Sequence, residues 1–301
     1  MTDARGFHID KRRVRRAFDR AAAGYDRVAV LQREVGTRLV ERLDYIRLQP
    51  QTILDIGAGT GRLSKALAQR YKKARVIALD LAPNMLRAAR CHAGPLARLL
   101  HRQSFVCGDA ERLPLADLST DMIFSNLTLQ WCGNLDSALA EFRRLLKPGG
   151  LLLFSSFGPD TLKELRDSWA AVDQDVHVGA FIDMHDIGDA LLRGGFADPV
   201  MDAERFTLTY PDVYGVMREL KALGAHNAAD GRPRTLTGKG RLRAMTAAYE
   251  RYRDKESLPA TFEVVYGLAW VPAGSKASTA EKGVVKIPLA ALQRRAPGGR
   301  S

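Results

Sequence analysis

A glycine-rich loop between an apolar strand and a helix constrains this sequence more than any other feature. Residues Ile53–Ile56 are typical of a buried β-strand, and the strand leads directly into Gly57, Gly59 and Gly61. Apolar residues at helical spacing follow the loop. Glycine allows a tight turn and lets a ligand approach the backbone without a Cβ in the way. This succession therefore predicts a nucleotide-binding corner, with the three glycines among the binding residues.

The spacing of the glycines and a nearby acid narrow the choice of ligand. The loop has the pattern G-x-G-x-G, which differs from the G-x-G-x-x-G of dinucleotide-binding enzymes. Asp55 lies inside the end of the strand, two residues before Gly57. A carboxylate at this place suits a ligand with positive charge better than one with a pyrophosphate. We therefore expect S-adenosylmethionine, which carries a sulfonium and an ammonium group, with Asp55 as a contact.

A second strand, Arg75–Asp80, ends in an acid 19 positions after Gly61. In doubly wound sheets an acid at this place binds ribose hydroxyls, because a carboxylate accepts two hydrogen bonds at once. Asp80 is therefore the predicted ribose contact. Leu81 and Met85 follow it around a predicted helix start and are expected to line an adenine pocket.

Two further strand ends complete the predicted cofactor site. The third strand starts at Phe105 and ends in Asp109, which we expect to contact the adenine amino group together with the adjacent Ala110. The fourth strand ends in Asn126 and Leu127, at the place where the methyl donor is expected.

The later strands complete an α/β fold: a doubly wound, seven-stranded, mostly parallel sheet with N-terminal helices and a helical lid. The predicted ranges of the fourth to seventh strands are Asp121–Asn126, Leu151–Phe154, Arg205–Tyr210 and Thr261–Trp270. The last strand is expected to be antiparallel. The order of these motifs resembles that of the class I S-adenosylmethionine-dependent methyltransferases.

Three regions follow from this pattern. Residues 1–50 are predicted to form an N-terminal helical segment, and 51–270 the methyltransferase domain. Within it, about 211–258 form an insertion that is expected to cover the cofactor. Residues 271–301 carry six Lys or Arg against one Glu and few large apolar side chains. This basic tail is expected to be disordered.

Composition sets limits on location, metals and partners. No apolar run approaches the length of a membrane span. Cys91, Cys107 and Cys132 lack paired or metal-ligand spacing, so we expect reduced thiols in the cytoplasm and no metal site. The formal net charge of +12 fits either nucleic acid or an acidic protein partner.

Three sequence blocks are more specific than the fold. They are Arg16–Tyr25 with the nearby Leu31-Gln-Arg33, Ser125–Leu135, and Leu220–Ala225 with Gly231–Leu236. From about Arg15 to Trp270 the chain resembles the malonyl-acyl-carrier-protein O-methyltransferase family of biotin synthesis. The resemblance implies methylation of the free carboxylate of a malonyl thioester on acyl carrier protein. Since acyl carrier proteins are acidic, it favours this partner over nucleic acid for the basic surface.

The chemistry requires a cation for the substrate rather than a general base, because a malonyl carboxylate is already ionised at pH 7. Arg232 and Arg234 in the predicted lid, and Lys221 before them, are the candidates for this contact. The alternative for each is a solvated surface charge. Tyr25 is a candidate for closing over the sulfonium or binding the carboxylate, and its alternative is a core aromatic. Trp131 and Phe157 are expected to wall the pocket, although packing explains them equally well.

Other functions fit parts of the sequence. The segments Phe157–Arg166 and Pro259–Phe262 resemble a complex I assembly factor family that acts as an arginine hydroxylase. Another small-carboxylate methyltransferase is also consistent with the fold. A third alternative is a non-catalytic scaffold for nucleic acid, but the intact acid and glycine pattern of the loop argues against loss of the cofactor.

Overall fold

The computed structural model describes residues 9–94, 102–229 and 237–273 and contains a single seven-stranded sheet. The strands are β1 Thr52–Ile56, β2 Arg75–Asp80, β3 Gln103–Cys107, β4 Thr120–Asn126, β5 Leu146–Phe157, β6 Ala197–Tyr210 and β7 Leu258–Trp270. Their order in the sheet is β3-β2-β1-β4-β5-β7-β6. The first five strands are parallel to one another, whereas β7 is antiparallel to both β5 and β6. The predicted fold class is confirmed.

The described helices precede the sheet and alternate with its strands. They are α1 Lys11–Ala21, α2 Tyr25–Val28, α3 Val30–Glu41, α4 Arg62–Arg70, α5 Pro83–His92, α6 Leu135–Leu145, α7 Lys163–Ala170, α8 Met184–Arg193, α9 Val213–Ala222 and α10 Lys239–Tyr249. None of the helices within these residues is both long and apolar enough to cross a bilayer.

The sheet is buried on both faces, as the apolar runs of its central strands require. Successive side chains of a strand point to opposite faces. Ile53 accordingly packs in a cluster with α3, α7 and α10, while Leu54 and Ile56 pack in a second cluster with α6 and α8. A central parallel strand needs apolar residues on both faces for this reason, and its sequence shows no alternation.

Several predicted boundaries differ from the structure. The predicted second strand is reproduced, but β5 and β6 start earlier than Leu151 and Arg205. The third strand ends at Cys107, so Asp109 lies two residues beyond it in a turn. β6 is an edge strand whose residues alternate between half-buried and exposed. The polar residues in its first half interrupt the apolar pattern, so the sequence predicted only its second half.

Gly267 of β7 permits close packing at the parallel–antiparallel boundary of the sheet. It lies opposite Phe154 in β5 and Met201 in β6. A Cβ on Gly267 would lie 2.2 Å from a ring carbon of Phe154 and 2.9 Å from the Met201 sulfur. The absence of a side chain therefore makes room for the Phe154 ring.

We predict that Gly267→Ala lowers the free energy of unfolding by about 1–3 kcal/mol, because the buried ring must move. Gly240→Ala in α10 is the matched control, since a Cβ there meets nothing within 4 Å. Chemical denaturation of both variants measures the difference. Equal stabilities of the two variants would contradict the packing role of Gly267.

Candidate functional site

The glycine loop turns sharply between β1 and α4. Gly57 and Gly59 have φ values of +73° and +54°, in the region that side chains rarely adopt. A Cβ on Gly57 would lie 1.9 Å from the Thr128 hydroxyl oxygen, so the position has no room for a side chain. At Gly59 a Cβ meets nothing within 4 Å, and the residue lines a cavity. The space beside Gly59 is therefore open to a ligand.

Asp80 at the end of β2 fixes the loop to the neighbouring helix. Its carboxylate accepts backbone hydrogen bonds from Gly59 and Ala82, both at 2.8 Å. Burial raises the pKa of Asp80 to about 6, although these two hydrogen bonds oppose the rise. At pH 7 the group is mostly ionised and still has lone pairs for a ligand. Its place supports the predicted contact with ribose hydroxyls.

The cavity beside this corner, which we call the loop cavity, collects most of the predicted site residues. Those that line it are Tyr25, Gly57, Gly59, Asp80, Leu81, Met85, Asp109, Ala110, Asn126 and Leu127. Trp131 and Phe157 also line it, as expected. Asp55 and Gly61 do not. The contact of each residue with the cofactor remains a prediction.

Asp55 lies behind the loop rather than in the cavity wall. Its side chain is buried and accepts a hydrogen bond from the Ser64 hydroxyl, which links β1 to α4. Burial raises the pKa of Asp55 to about 7. Gly61 is equally removed from the cavity, and its Cα faces α5, where a Cβ would lie 2.7 Å from that of Ala89.

Asp109 is paired with a residue that the sequence did not indicate. The Lys11 ammonium of α1 lies 2.8 Å from Asp109 and 2.8 Å from Glu111, and it lines the loop cavity beside them. This contact draws α1 across the end of the sheet. Phe18, about two turns further along α1, packs edge-on against Trp131 with ring centroids 5.3 Å apart. The N-terminal helix thus forms one wall of the cavity.

Asn126 and Leu127 form a strained turn at the end of β4. Leu127 has a φ of +50°, and its backbone N–H donates to the Ser155 hydroxyl at 3.0 Å. The same hydroxyl donates to Asn126, whose amide nitrogen donates to the Gln32 carbonyl. These contacts fix the turn against α3 and direct Leu127 toward the cavity.

A second cavity, the helix cavity, adjoins the loop cavity. It is lined by parts of α3, α7 and α9 and by the segment from His177 to Phe181. The two cavities share six wall residues, which are Gln32, Gln130, Trp131, Phe157, Leu223 and Ala225. Leu223 and Ala225 come from the segment that the sequence predicted to be a lid.

Two amide oxygens at this junction lack a hydrogen-bond partner among residues 9–94, 102–229 and 237–273. They are the buried Oε1 atoms of Gln32 and Gln130. An unpaired buried acceptor is costly, and a ligand with positive charge or donor groups would satisfy it. Together with the open side of Gly59 and the carboxylate of Asp80, the oxygens fit S-adenosylmethionine. Gln32 and Gln130 occur in the family-like blocks, but nothing else in the sequence singled them out.

Tyr25 starts α2 and also faces the loop cavity. Among the described residues its hydroxyl has no hydrogen-bond partner. Burial raises its pKa well above 10, and the nearby carboxylates of Asp80 and Asp26 raise it further. The hydroxyl therefore keeps its proton at neutral pH and can act as a hydrogen-bond donor to a ligand.

Of the other three substrate candidates, only Lys221 is among the described residues, and it lies outside the walls of both cavities. Lys221 is exposed at the end of α9, beside Arg20 and His226. Arg232 and Arg234 lie outside the described residues. Their roles remain predictions.

A basic surface, which we call the arginine face, lies beside the helix cavity. It comprises Arg12, Arg13, Arg16 and Arg20 of α1, with Lys221 and His226 next to them. Within the described parts of the chain, none of the four arginines forms a salt bridge with a carboxylate. His226 also lines the helix cavity, so the arginine face borders its wall.

One group of side chains has the composition of a metal site. Ligand atoms of Asp173, Asp175 and His177 lie within 4.8 Å of one another. The guanidinium of Arg241 lies 3.3 Å from both carboxylates, so a cation already neutralises the pair. The sequence predicted no metal site, and this prediction remains untested.

We predict that Asp80→Asn weakens the binding of S-adenosylmethionine about 10- to 100-fold, since an amide nitrogen cannot accept the hydrogen bonds of backbone N–H or ribose hydroxyl groups. In the unchanged protein the dissociation constant should rise as pH falls through about 6, because protonation removes the ionised acceptor. Asp44→Asn is the control, as Asp44 is exposed and, in the part of the chain that the structure describes, pairs with Arg70 alone. Calorimetric titration with an unchanged affinity for Asp80→Asn would contradict the assignment.

Solved structures share the fold at low sequence identity. The YcgJ protein from Bacillus subtilis has a TM-score of 0.54 and 16% identity, over 78% of this chain and 98% of its own. Phosphoethanolamine N-methyltransferase 2 of Haemonchus contortus, solved in complex with S-adenosyl-L-methionine, has a TM-score of 0.51 and 17% identity. It is matched over 84% of this chain and 57% of its own.

Sequence comparison is more specific. A family described as a methyltransferase domain matches residues 54–154. The malonyl-[acyl-carrier protein] O-methyltransferase of Laribacter hongkongensis is 56% identical, over 91% of this chain and 93% of its own. The protein of the same name from Methylovorus sp. is 55% identical, over 89% and 92%. These relatives bear the name of the family that the sequence blocks resembled. The chain belongs to the malonyl-[acyl-carrier protein] O-methyltransferase family.

Proposed function

We propose that this protein transfers a methyl group from S-adenosylmethionine to the free carboxylate of malonyl-acyl carrier protein. The observation that carries the proposal is the junction of the two cavities, where Gln32 and Gln130 present unpartnered oxygens. A cationic methyl donor in the loop cavity would meet an acceptor from the helix cavity at this place. The names of the close relatives specify the acceptor.

S-adenosylmethionine, when bound, supplies an electrophilic methyl group on a sulfonium. The chain supplies orientation: Asp80 accepts hydrogen bonds from hydroxyl groups, and the oxygens of Gln32 and Gln130 stabilise positive charge. The shared aromatic walls, Trp131 and Phe157, exclude water from the junction. Since transfer requires in-line alignment at close range, such positioning provides most of the rate acceleration.

No residue is required to remove a proton from the acceptor. A malonyl carboxylate is ionised at pH 7. This agrees with the state of Tyr25, whose raised pKa keeps its hydroxyl protonated and unsuited to act as a base. We assign Tyr25 the role of a donor that orients one of the two ligands.

The partner of the arginine face is an acidic carrier protein. Its four arginines lack carboxylate partners among the described residues, and the face borders the helix cavity through His226. A carrier bound here could extend its prosthetic arm into the helix cavity. Esterification would remove the negative charge of the malonyl carboxylate. Fatty-acid enzymes could then elongate the group toward pimeloyl carrier protein in biotin synthesis.

The proposed reaction is tested with S-adenosylmethionine that is radiolabelled in its methyl group. Incubation with malonyl-acyl carrier protein should give a base-labile methyl ester on the malonyl group, and acetyl-acyl carrier protein should give none. Absence of label with cofactor binding intact would refute the proposal. Label in a protein side chain instead would favour a protein-modifying activity.

We predict that Arg16→Glu combined with Arg20→Glu raises the KM for malonyl-acyl carrier protein at least about tenfold at low salt, while kcat stays unchanged. Added salt should reduce the difference, because it screens exposed charges. The control is the double change Arg47→Glu and Arg193→Glu, which has the same net charge. Arg47 lies just before β1, away from the arginine face. An equal rise in KM for both double variants would mean that only overall charge matters.

The candidates from the predicted lid have their own test. If Arg232, Arg234 or Lys221 contacts the malonyl carboxylate, its change to alanine should raise the KM about 10- to 100-fold, the usual effect of losing a charged hydrogen bond. Arg251→Ala provides a comparison, since Arg251 is exposed on the same segment and contacts Tyr252. Unchanged kinetics for all three would identify them as solvated surface charges.

A further inference from the structure

His177 lies in the wall of the helix cavity, and two contacts fix its imidazole ring. The ring stacks on Trp169 with centroids 3.7 Å apart and an interplanar angle of 7°. Its Nε2 atom lies 2.8 Å from a carboxylate oxygen of Asp173. Asp173 in turn lies 3.3 Å from the Arg241 guanidinium. The side chain is 10% exposed and lines the cavity.

The charges of the helix cavity point to this residue. Among the described residues that line the cavity, only His177 and His226 are basic. Burial lowers the pKa of His226, and the positive charges of Arg13, Arg20 and Lys221 lower it further. His226 is therefore mostly neutral at pH 7 and suited poorly to a carboxylate.

Three other polar side chains of the cavity already donate to backbone carbonyls. The Thr161 hydroxyl donates to the Glu263 carbonyl at 3.0 Å, and the Gln130 amide nitrogen donates to the Leu127 carbonyl at 2.7 Å. The Asn227 amide nitrogen donates to the Val176 carbonyl. Glu219 is an acid and repels a carboxylate. The Gln32 amide is at the junction with the loop cavity.

We propose that His177 binds the carboxylate of the malonyl group, with Asp173 as its positioning residue. The inference rests on the proposed function and identifies the residue that binds the carboxylate of its substrate. An imidazolium donates from both nitrogens, so Nε2–H is held by Asp173 while Nδ1–H is left for the substrate.

The surroundings of Asp173 keep its carboxylate ionised. Burial alone would raise the Asp173 pKa, but hydrogen bonds from His177 and from the Asp175 backbone outweigh it and lower the pKa. An ionised Asp173 accepts the hydrogen bond from Nε2–H and fixes the orientation of the ring. A single hydrogen bond of this kind orients the carboxylate without withdrawing as much charge from its oxygens as a bidentate arginine would.

The test separates recognition of the carboxylate from recognition of the carrier. The affinity for malonyl-acyl carrier protein is compared with that for acetyl-acyl carrier protein, which lacks the carboxylate and serves as a competitive inhibitor. His177→Gln should weaken the malonyl form about 10- to 100-fold and change the inhibition constant of the acetyl form less than about twofold. Asp173→Asn should have a smaller effect of the same kind.

His185→Gln is the matched control. His185 pairs with Asp183 at 2.8 Å in the same way, but its side chain is 85% exposed and outside both cavities. This variant should behave as the unchanged protein with both carriers. The melting temperature and the affinity for S-adenosylmethionine report whether each variant folds.

Equal weakening of both carriers by His177→Gln would assign the residue a structural role and overturn the proposal. The proposal would also be overturned if His177→Gln still distinguished the malonyl form from the acetyl form and Arg232→Ala or Arg234→Ala did not. The residue that binds the carboxylate would then belong to the predicted lid. Failure of the proposed function is a separate outcome, because the unchanged protein would then form no ester from malonyl-acyl carrier protein at all.

Discussion

The carboxylate of Asp80 is the contact on which the rest of the site depends. It accepts the N–H groups of Gly59 and Ala82 and so joins the glycine loop to the start of α5. On the other side of β1, the end of β4 carries the turn at Leu127, which Ser155 of β5 holds through its hydroxyl. The first bonds join the ends of β1 and β2 and the second those of β4 and β5, and residues from both places line the loop cavity.

The N-terminal helices contribute walls to both cavities at this corner of the sheet. Lys11 pairs with Asp109 and Glu111, and Phe18 packs on Trp131, so α1 covers the sheet edge. The same helix presents on its outer surface four arginines that form no salt bridge with a carboxylate of the described residues. One helix thus closes the cofactor side and offers a docking surface, which explains why the N-terminal block is among the family-like parts of the sequence.

Local sequence patterns predicted the fold and most of the loop cavity. In a parallel sheet the carboxyl ends of the strands lie together, so the glycines and acids that follow them come close to one another. The patterns suggested a ligand contact for Asp55 from its position in the strand, whereas its side chain accepts a hydrogen bond from Ser64 behind the loop. They also missed Gln32, Gln130 and His177. The importance of these residues comes from contacts between distant segments, which no spacing along the chain reveals.

The central claim is that the methyl donor and the malonyl group meet at the junction of the two cavities. A crystal structure of the complex with S-adenosylhomocysteine and malonyl-acyl carrier protein tests it most directly. We predict that the sulfur lies beside the amide oxygens of Gln32 and Gln130, with the prosthetic arm entering the helix cavity from the arginine face. An arm that reaches the sulfur by another route, or a sulfur remote from both glutamines, would contradict it.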